Sequence, residues 1–202
     1  IINTLCQFYE IAKGDILFDG HSIKKINKYD LRRQIALVQQ DVFLFSGSIL
    51  DNIRMGNQQM GQEEIESISH AVSSHNFISN LPFKYEQELN EDDISSGQRQ
   101  LLSFARALAA EPKILVLDEA TSNVDLETER QIQKGIKEMT RGRTSIIIAH
   151  RLSTLMHVDK VLVLKKGEVI EFGKRKELLQ QKGIFYQLCQ AQIKLEQSRV
   201  GS

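Results

Sequence analysis

The sequence has no excess of charge of either sign and no long apolar run. Its 26 lysine and arginine residues balance 26 aspartate and glutamate residues, so the formal net charge is zero. A surface that binds nucleic acid or an anionic membrane through bulk charge is therefore not expected. No stretch approaches the roughly 18 to 20 consecutive apolar residues that a membrane span requires, and none resembles a signal peptide.

Cysteine is also scarce. The two cysteines, Cys6 and Cys189, lie far apart in the sequence and lack the spacing of metal ligands. We therefore expect buried or incidental thiols at these positions. Such low cysteine usage is compatible with a reducing compartment.

The apolar and turn residues that are present alternate in a pattern typical of an α/β domain. Short apolar runs predict strands at 14–20, 35–38, 114–117, 144–149 and 161–164. The last three runs are rich in β-branched residues and suit central strands covered on both faces. Helical periodicity is found at 62–72, at 126–139 and in two segments between 174 and 194 that break near Gly183. The strand, helix and strand between 114 and 149 predict a βαβ unit with a parallel sheet.

Two carboxylates follow the strand predicted at 114–117. Asp118 and Glu119 would lie at the carboxyl edge of the parallel sheet, where open α/β sheets bind ligands. In phosphoryl-transfer enzymes one such carboxylate helps to hold Mg²⁺, and a second can polarise the attacking water. Taken alone, the pair fits equally well a loop that caps the next helix.

A second motif lies just upstream. Ser95 and Gln98 have the spacing of a capping box, which predicts that a helix begins here. The free amides of that first turn would favour an anion such as a terminal phosphate, and Gly97 would allow close approach of the backbone. A simple capped helix would account for Ser95 and Gln98 as well.

Five motifs, in order, resemble those of the nucleotide-binding domain of an exporter-type ABC transporter. The Ile-Ser-Ser-Gly-Gln run at 94–98 is similar to the signature motif, and residues 117–122 are similar to the Walker B strand and its continuation. The remaining matches are the Q-loop at 38–53, the D-loop at 122–125 and the switch-histidine loop at 148–154. Residues 167–173 also fit the exporter subclass.

The resemblance implies a P-loop NTPase-like α/β fold, with residues 1–40 and 111–202 as part of a RecA-like core and about 41–110 as a helical lobe. It implies that ATP and Mg²⁺ are bound. Asp118 and Gln40 would help to bind Mg²⁺. Glu119 would act as general base, and His150 would contact the γ-phosphate. The nucleotide of the opposite subunit would be bound by Ser95, Ser96, Gly97 and Gln98. Asp125 would organise the dimer interface, which is compatible with a role as the N-cap of the helix at 126–139.

The sequence departs from the family pattern in three places. The Walker A motif Gly-x-x-x-x-Gly-Lys-Ser/Thr does not occur, and the family places it immediately before a segment that residues 1–9 resemble. We therefore expect the sequence to start just after that loop, with the upstream strands also absent, and to be inactive on its own. Ser96 replaces the first glycine of the signature pair. The acidic loop at 88–93 is about two residues shorter than the family pattern.

The resemblance implies that this domain powers export at the cytoplasmic face of a membrane. Its partners would be a second nucleotide-binding domain, identical or different, and a transmembrane domain carried on the same native polypeptide; no nucleic acid is expected. A non-transport ABC ATPase is a weaker alternative, because the interval from Gln40 to Ser95 is short and the charge is neutral. A catalytically silent regulatory partner is a third alternative, favoured by Ser96 and by the lack of a Walker A motif.

Overall fold

The computed structural model describes residues 1–55, 57–89, 93–118, 125–149 and 152–200. The helices in these ranges are Ile2–Leu5 (α1), Lys28–Arg33 (α2), Ile49–Arg54 (α3), Gln62–Ala71 (α4), His75–Ser79 (α5), Ser96–Ala109 (α6), Leu126–Thr140 (α7), Arg175–Gln181 (α8) and Ile184–Val200 (α9). The strands are Leu17–Phe18 (β1), His21–Ser22 (β2), Ile35–Val38 (β3), Ile114–Asp118 (β4), Thr144–Ile148 (β5), Lys160–Lys165 (β6) and Glu168–Lys174 (β7).

A three-stranded parallel sheet in the order β3-β4-β5 confirms the predicted α/β class. Val38 of β3 pairs with Leu117 of β4, and Asp118 pairs with Ile148 of β5. Helix α7 connects β4 to β5, so the predicted βαβ unit is confirmed. In the central strand β4, Leu115 and Val116 are fully buried, as expected for an apolar strand with a partner on each side.

The chain forms two compact units, residues 1–148 and 149–202. The core of the first unit is built around α6, which packs against α3, α4, α7 and β3. Helix α6 has an apolar stripe at helical spacing, and its Leu101, Phe104 and Ala105 are completely buried. This helix begins at the motif that the sequence singles out, so that motif is anchored in the core of the unit.

The second unit contains the antiparallel pair β6 and β7, with a bulge between Val163 and Leu164. Val161 of β6 packs with Leu178 of α8 and Phe185 of α9 in a small separate core. The prediction that β6 is a central strand covered on both faces is wrong in this structure. Leu162 is 46% exposed because alternate side chains of a strand face opposite sides, and only the side with Val161 is covered.

Two smaller predictions also need correction. The run at 14–20 forms only the two-residue strand β1, which pairs antiparallel with β2 through a turn at Asp19 and Gly20. Both turn residues have positive φ angles, which end the strand early. Strand β5 is half-buried rather than covered on both faces.

None of the helices in the described ranges has the length and apolar content needed to cross a bilayer.

Candidate functional site

The candidate site begins at the carboxyl edge of the parallel sheet. Strands β3 and β4 are hydrogen-bonded neighbours, and they end at Val38 and Asp118. Gln40 follows the end of β3 by two residues and is exposed, whereas Asp118 is half-buried at the last position of β4. The register therefore brings two of the predicted site residues to one edge of the sheet, where open α/β folds bind their ligands.

The donor atoms at this edge suit Mg²⁺. Asp118 offers carboxylate oxygens and Gln40 offers an amide oxygen, and hard oxygen donors are the ligands that Mg²⁺ prefers. No group of three or more histidine, cysteine or acidic side chains in the described part of the chain could hold a metal ion. One carboxylate and one amide oxygen fit Mg²⁺, which proteins usually hold through one or two side chains together with substrate phosphates and water.

Two predicted residues cannot be placed. Glu119, the predicted general base, and His150, the predicted switch histidine, lie outside the described residues. Most of the predicted D-loop, residues 122–124, also lies outside them. Their roles remain predictions.

The N-terminus of α6 carries the predicted capping box, and the structure confirms it. The Ser95 hydroxyl accepts a hydrogen bond from the backbone amide of Gln98 at 3.2 Å. The side-chain oxygen of Gln98 accepts one from the backbone amide of Ser95 at 2.9 Å. Ser95 and Ser96 are exposed, whereas Gly97 is buried. The first turn of a helix leaves amide groups without intrahelical partners, so this exposed end can accept an anion.

A guanidinium group steadies the segment just before this helix. Arg99 donates from Nη1 to the carbonyl oxygen of Ile94 at 2.9 Å. Ile94 itself is buried in the core of the unit. The signature segment is thus fixed on its upstream side by packing and by a charge-assisted hydrogen bond.

Asp125 caps the next long helix. Its carboxylate accepts a hydrogen bond from the Thr128 amide at 2.9 Å, at the start of α7. Two hydrogen bonds from Thr128 hold the pKa of Asp125 below its ordinary value. The larger effect comes from the Thr128 side chain and the smaller one from its backbone amide. The structure confirms the N-cap role; the predicted role at a dimer interface stays a prediction.

One polar contact was not foreseen from the sequence. Arg106, on the far part of α6, donates to the backbone and side chain of Asn52 in α3 and to the carbonyl oxygen of Phe43. The only local signal is Asn52 itself, a polar residue among the buried apolar residues of α3. A buried amide must be hydrogen-bonded, but the sequence does not reveal its partner.

A surface cavity of about 620 Å³ lies at the opposite edge of the sheet. It is lined by Ile114 and Thr144, the first residues of β4 and β5, and by the cations Lys113, Arg141 and Arg143. None of the predicted site residues lines it. The strand ends that carry Gln40 and Asp118 are therefore the better candidate for the chemistry.

Comparison with known proteins agrees with this geometry. A family model described as ABC transporter matches residues 1–122. The uncharacterized ABC transporter ATP-binding protein YfiC of Bacillus subtilis (strain 168) is 45% identical over 195 residues, which cover 96% of this chain and 32% of the relative. The ATP-dependent lipid A-core flippase of Syntrophus aciditrophicus (strain SB) is 41% identical over 196 residues, covering 96% of this chain and 33% of that protein.

A solved structure gives the same result for the fold. The structure of a bacterial Atm1-family ABC exporter with ATP bound aligns with a TM-score of 0.87 and 34% identity, covering 95% of this chain and 34% of that one. The chain thus spans between 32% and 34% of the length of these three relatives. The family match, the two relatives and the shared fold together establish that this chain belongs to the ABC transporter family.

Proposed function

We propose that the chain is the ATP-hydrolysing part of a membrane exporter. The observation that carries the proposal is the parallel pairing of β3 with β4. Strand β4 ends at Asp118, and Gln40 follows the end of β3 by two residues. This places a carboxylate and an amide at the sheet edge that binds ligands in open α/β folds. The ATP-bound exporter with the same fold supports ATP as the substrate.

The chemistry proposed for this edge is the transfer of the γ-phosphoryl group of ATP to water. Asp118 and Gln40 would hold Mg²⁺, which neutralises charge that develops on the phosphate oxygens. Glu119 would orient the attacking water and accept its proton, and Gln40 would hold the same water from the neighbouring strand end. His150 would donate a hydrogen bond to the γ-phosphate. Positioning and electrostatic stabilisation supply most of the rate enhancement in such reactions.

The exposed start of α6 is proposed to act on a different nucleotide, the one held by a partner domain. Ser95, Ser96, Gly97 and Gln98 would present backbone and side-chain donors to its phosphates. The exposure of Ser95 and Ser96 supports a contact outside this chain. Two domains would then close head to tail around ATP, with Asp125 at the interface, and ATP binding would stabilise the dimer by mass action.

The proposed partners include a transmembrane domain on the same native polypeptide, with this domain at the cytoplasmic face of the membrane. The Bacillus subtilis relative YheH is described as a probable multidrug resistance ABC transporter ATP-binding/permease protein, which supports this arrangement. The division into a core formed by 1–40 and 111–202 and a helical lobe at about 41–110 is part of the same proposal. It assigns the Q-loop and the signature helix to the lobe.

A second candidate is a catalytically impaired partner domain. The observation in its favour is Ser96, an exposed first residue of α6 that adds a side chain where the family has glycine. A side chain at this position would weaken, rather than abolish, contact with a phosphate, because serine is small and can itself donate a hydrogen bond.

ATP binding and hydrolysis should be measured for the 202-residue chain beside a version extended upstream along the native gene. We expect the extended protein to hydrolyse ATP with Mg²⁺ and the 202-residue chain to bind nucleotide far more weakly, because the amide nest and lysine of a Walker A loop supply most of the phosphate affinity. A folded extended protein that binds no nucleotide would contradict the ATPase proposal and favour the impaired partner domain.

A further inference from the structure

Helix α6 is joined to the segment after Gln40 by the Arg106 guanidinium. Its Nη1 donates to the carbonyl oxygen of Phe43 at 3.0 Å. Its Nε donates to the Asn52 carbonyl oxygen at 3.1 Å, and its Nη2 donates to Asn52 Oδ1 at 3.0 Å. One side chain thus connects three oxygens that lie more than fifty positions away in sequence.

The buried side chain of Asn52 extends this connection to Phe45. Asn52 is only 1% exposed. Its Oδ1 accepts from the Phe45 amide at 3.0 Å, and its Nδ2 donates to the carbonyl oxygens of Phe45 at 2.8 Å and Ser48 at 3.0 Å. Both backbone groups of Phe45 are therefore satisfied by the same side chain that Arg106 contacts.

The geometry requires arginine rather than any cation. The fork of the guanidinium reaches the three oxygens at once, and its Cζ atom also lies 5.1 Å from the centroid of the Phe45 ring. A lysine ammonium is a single point and cannot donate in the same three directions. Burial lowers the pKa of Arg106, and a charged group that is partly removed from water is tolerated only where hydrogen bonds compensate.

We propose that Arg106 is a positioning residue that holds the Phe43–Phe45 segment on α6 and thereby fixes the loop that carries Gln40. This loop leaves β3 at Val38, so its first anchor is the parallel sheet. The hydrogen bond from Arg106 to Phe43, three residues beyond Gln40, is its second anchor. The role in catalysis rests on the proposed function, whereas the role in loop position does not.

The same helix carries the capped end at Ser95 and Gln98. Arg106 lies eight residues after Gln98, which corresponds to about 12 Å along an α-helix. Buried Leu101 and Phe104 pack this stretch of α6 into the core. Because the stretch is regular and well packed, the start of the signature helix and the Gln40 loop are held in a defined relation to each other through Arg106.

Amide hydrogen exchange in the full-length native polypeptide tests the positioning role directly. The reporter is the Phe45 amide, whose hydrogen bond depends on the Asn52 side chain. In Arg106→Lys we expect this amide to exchange about tenfold faster, because a lost charge-assisted hydrogen bond costs at least that factor. The amide of Cys189, inside α9 of the second compact unit, should keep its wild-type rate.

Arg130→Lys is the matched control. Arg130 is an exposed arginine of α7, and within the described residues its ion pair is a long one, 3.8 Å from Glu127. This variant should leave the exchange of Phe45 unchanged. The proposal is overturned if the Phe45 amide in Arg106→Lys stays within about twofold of wild type. It is equally overturned if the Phe45 and Cys189 rates rise by the same factor, since that would show a loss of stability throughout the chain rather than a release of the loop.

Steady-state kinetics add a second readout. Arg106 is not among the residues proposed to contact the nucleotide, so Arg106→Lys should keep the KM for ATP while kcat falls roughly tenfold through misplacement of Gln40. A rise in KM with unchanged kcat would contradict the role assigned to the loop. If the wild-type protein hydrolyses no ATP, the proposed function fails, and the exchange measurement still decides whether Arg106 positions the loop.

Discussion

Gly135 of α7 lies directly against the ring of Phe104 in α6. A Cβ atom added at Gly135 would stand 3.1 Å from Cδ2 of Phe104 and 3.1 Å from the carbonyl oxygen of Val72. Phe104 is completely buried, and a backbone oxygen cannot move aside easily. The close approach of α6 and α7 therefore depends on the absence of a side chain at this position.

The first prediction follows from this contact. Gly135→Val should lower the free energy of unfolding by about 1–3 kcal/mol, because the added methyl groups overpack the interface between α6 and α7. Gly135→Ala is the milder comparison, since the helix propensity of alanine returns about 1 kcal/mol. Denaturant unfolding measures both. A Gly135→Val protein as stable as wild type would show that the two helices are not packed this closely.

The second prediction concerns the cap of the signature helix. Ser95→Ala should destabilise the protein by about 1 kcal/mol, because the Gln98 amide loses its acceptor. Ser103→Ala is a control within the same helix, since the Ser103 hydroxyl donates to the nearby Gln100 carbonyl oxygen and caps no backbone amide of the first turn. Thermal unfolding should separate the two variants. Equal losses of stability in the two variants would indicate that the hydrogen bond of the cap does not stabilise the helix.

The third prediction is a dependence of stability on pH at Asp51. Hydrogen bonds from the Ser48 hydroxyl at 2.8 Å and from the Ser48 amide at 3.2 Å lower the pKa of Asp51 below its ordinary value of 3.8. A carboxylate whose pKa is lower in the folded state stabilises the protein fully above the unfolded pKa, and this contribution is lost as the pH falls through the folded value.

The test compares wild type with Asp51→Asn by urea unfolding between about pH 6 and about pH 3. We expect wild type to be the more stable of the two at about pH 6. The difference in unfolding free energy should narrow below pH 3.8 as the carboxylate takes up a proton. A difference that stays constant over this range would show that the ionised form of Asp51 contributes nothing.

The fourth prediction addresses the serine in the signature motif. Ser96→Gly should raise the rate of ATP hydrolysis by the native polypeptide severalfold, because glycine allows closer approach between backbone and phosphate. Ser96→Thr, which enlarges the same exposed side chain, should lower it. If both variants keep the wild-type rate, the side chain at position 96 does not limit the contact with nucleotide.

The features that the sequence predicts correctly depend on local patterns. The strands β3 and β4, the helix α7 and its cap at Asp125, and the capping box at Ser95 each follow from neighbouring residues. Parallel pairing then brings Asp118 and Gln40 to one edge without further information, because the carboxyl ends of parallel strands share a side of the sheet.

Apart from the short strand β1, which a local turn at Asp19 and Gly20 ends early, the errors and omissions are long-range. An apolar run such as 161–164 does not reveal which strand it pairs with, so β6 was expected at the centre of a sheet and lies instead beside β7. The contact between Arg106 and Asn52 joins residues 54 positions apart, and no periodic pattern encodes it. Local propensity predicts elements, whereas such contacts depend on how the elements pack.

The measurement that tests the proposed chemistry most directly is Mg²⁺-dependent ATP hydrolysis by the native polypeptide with Glu119→Gln. We predict that kcat falls at least about a hundredfold while ATP is still bound, because the amide cannot accept the proton of the attacking water. Glu127→Gln, an exposed acidic residue at the start of α7, should keep the wild-type rate. A wild-type rate of hydrolysis in Glu119→Gln would contradict the assignment of the general base and the catalytic edge built around it.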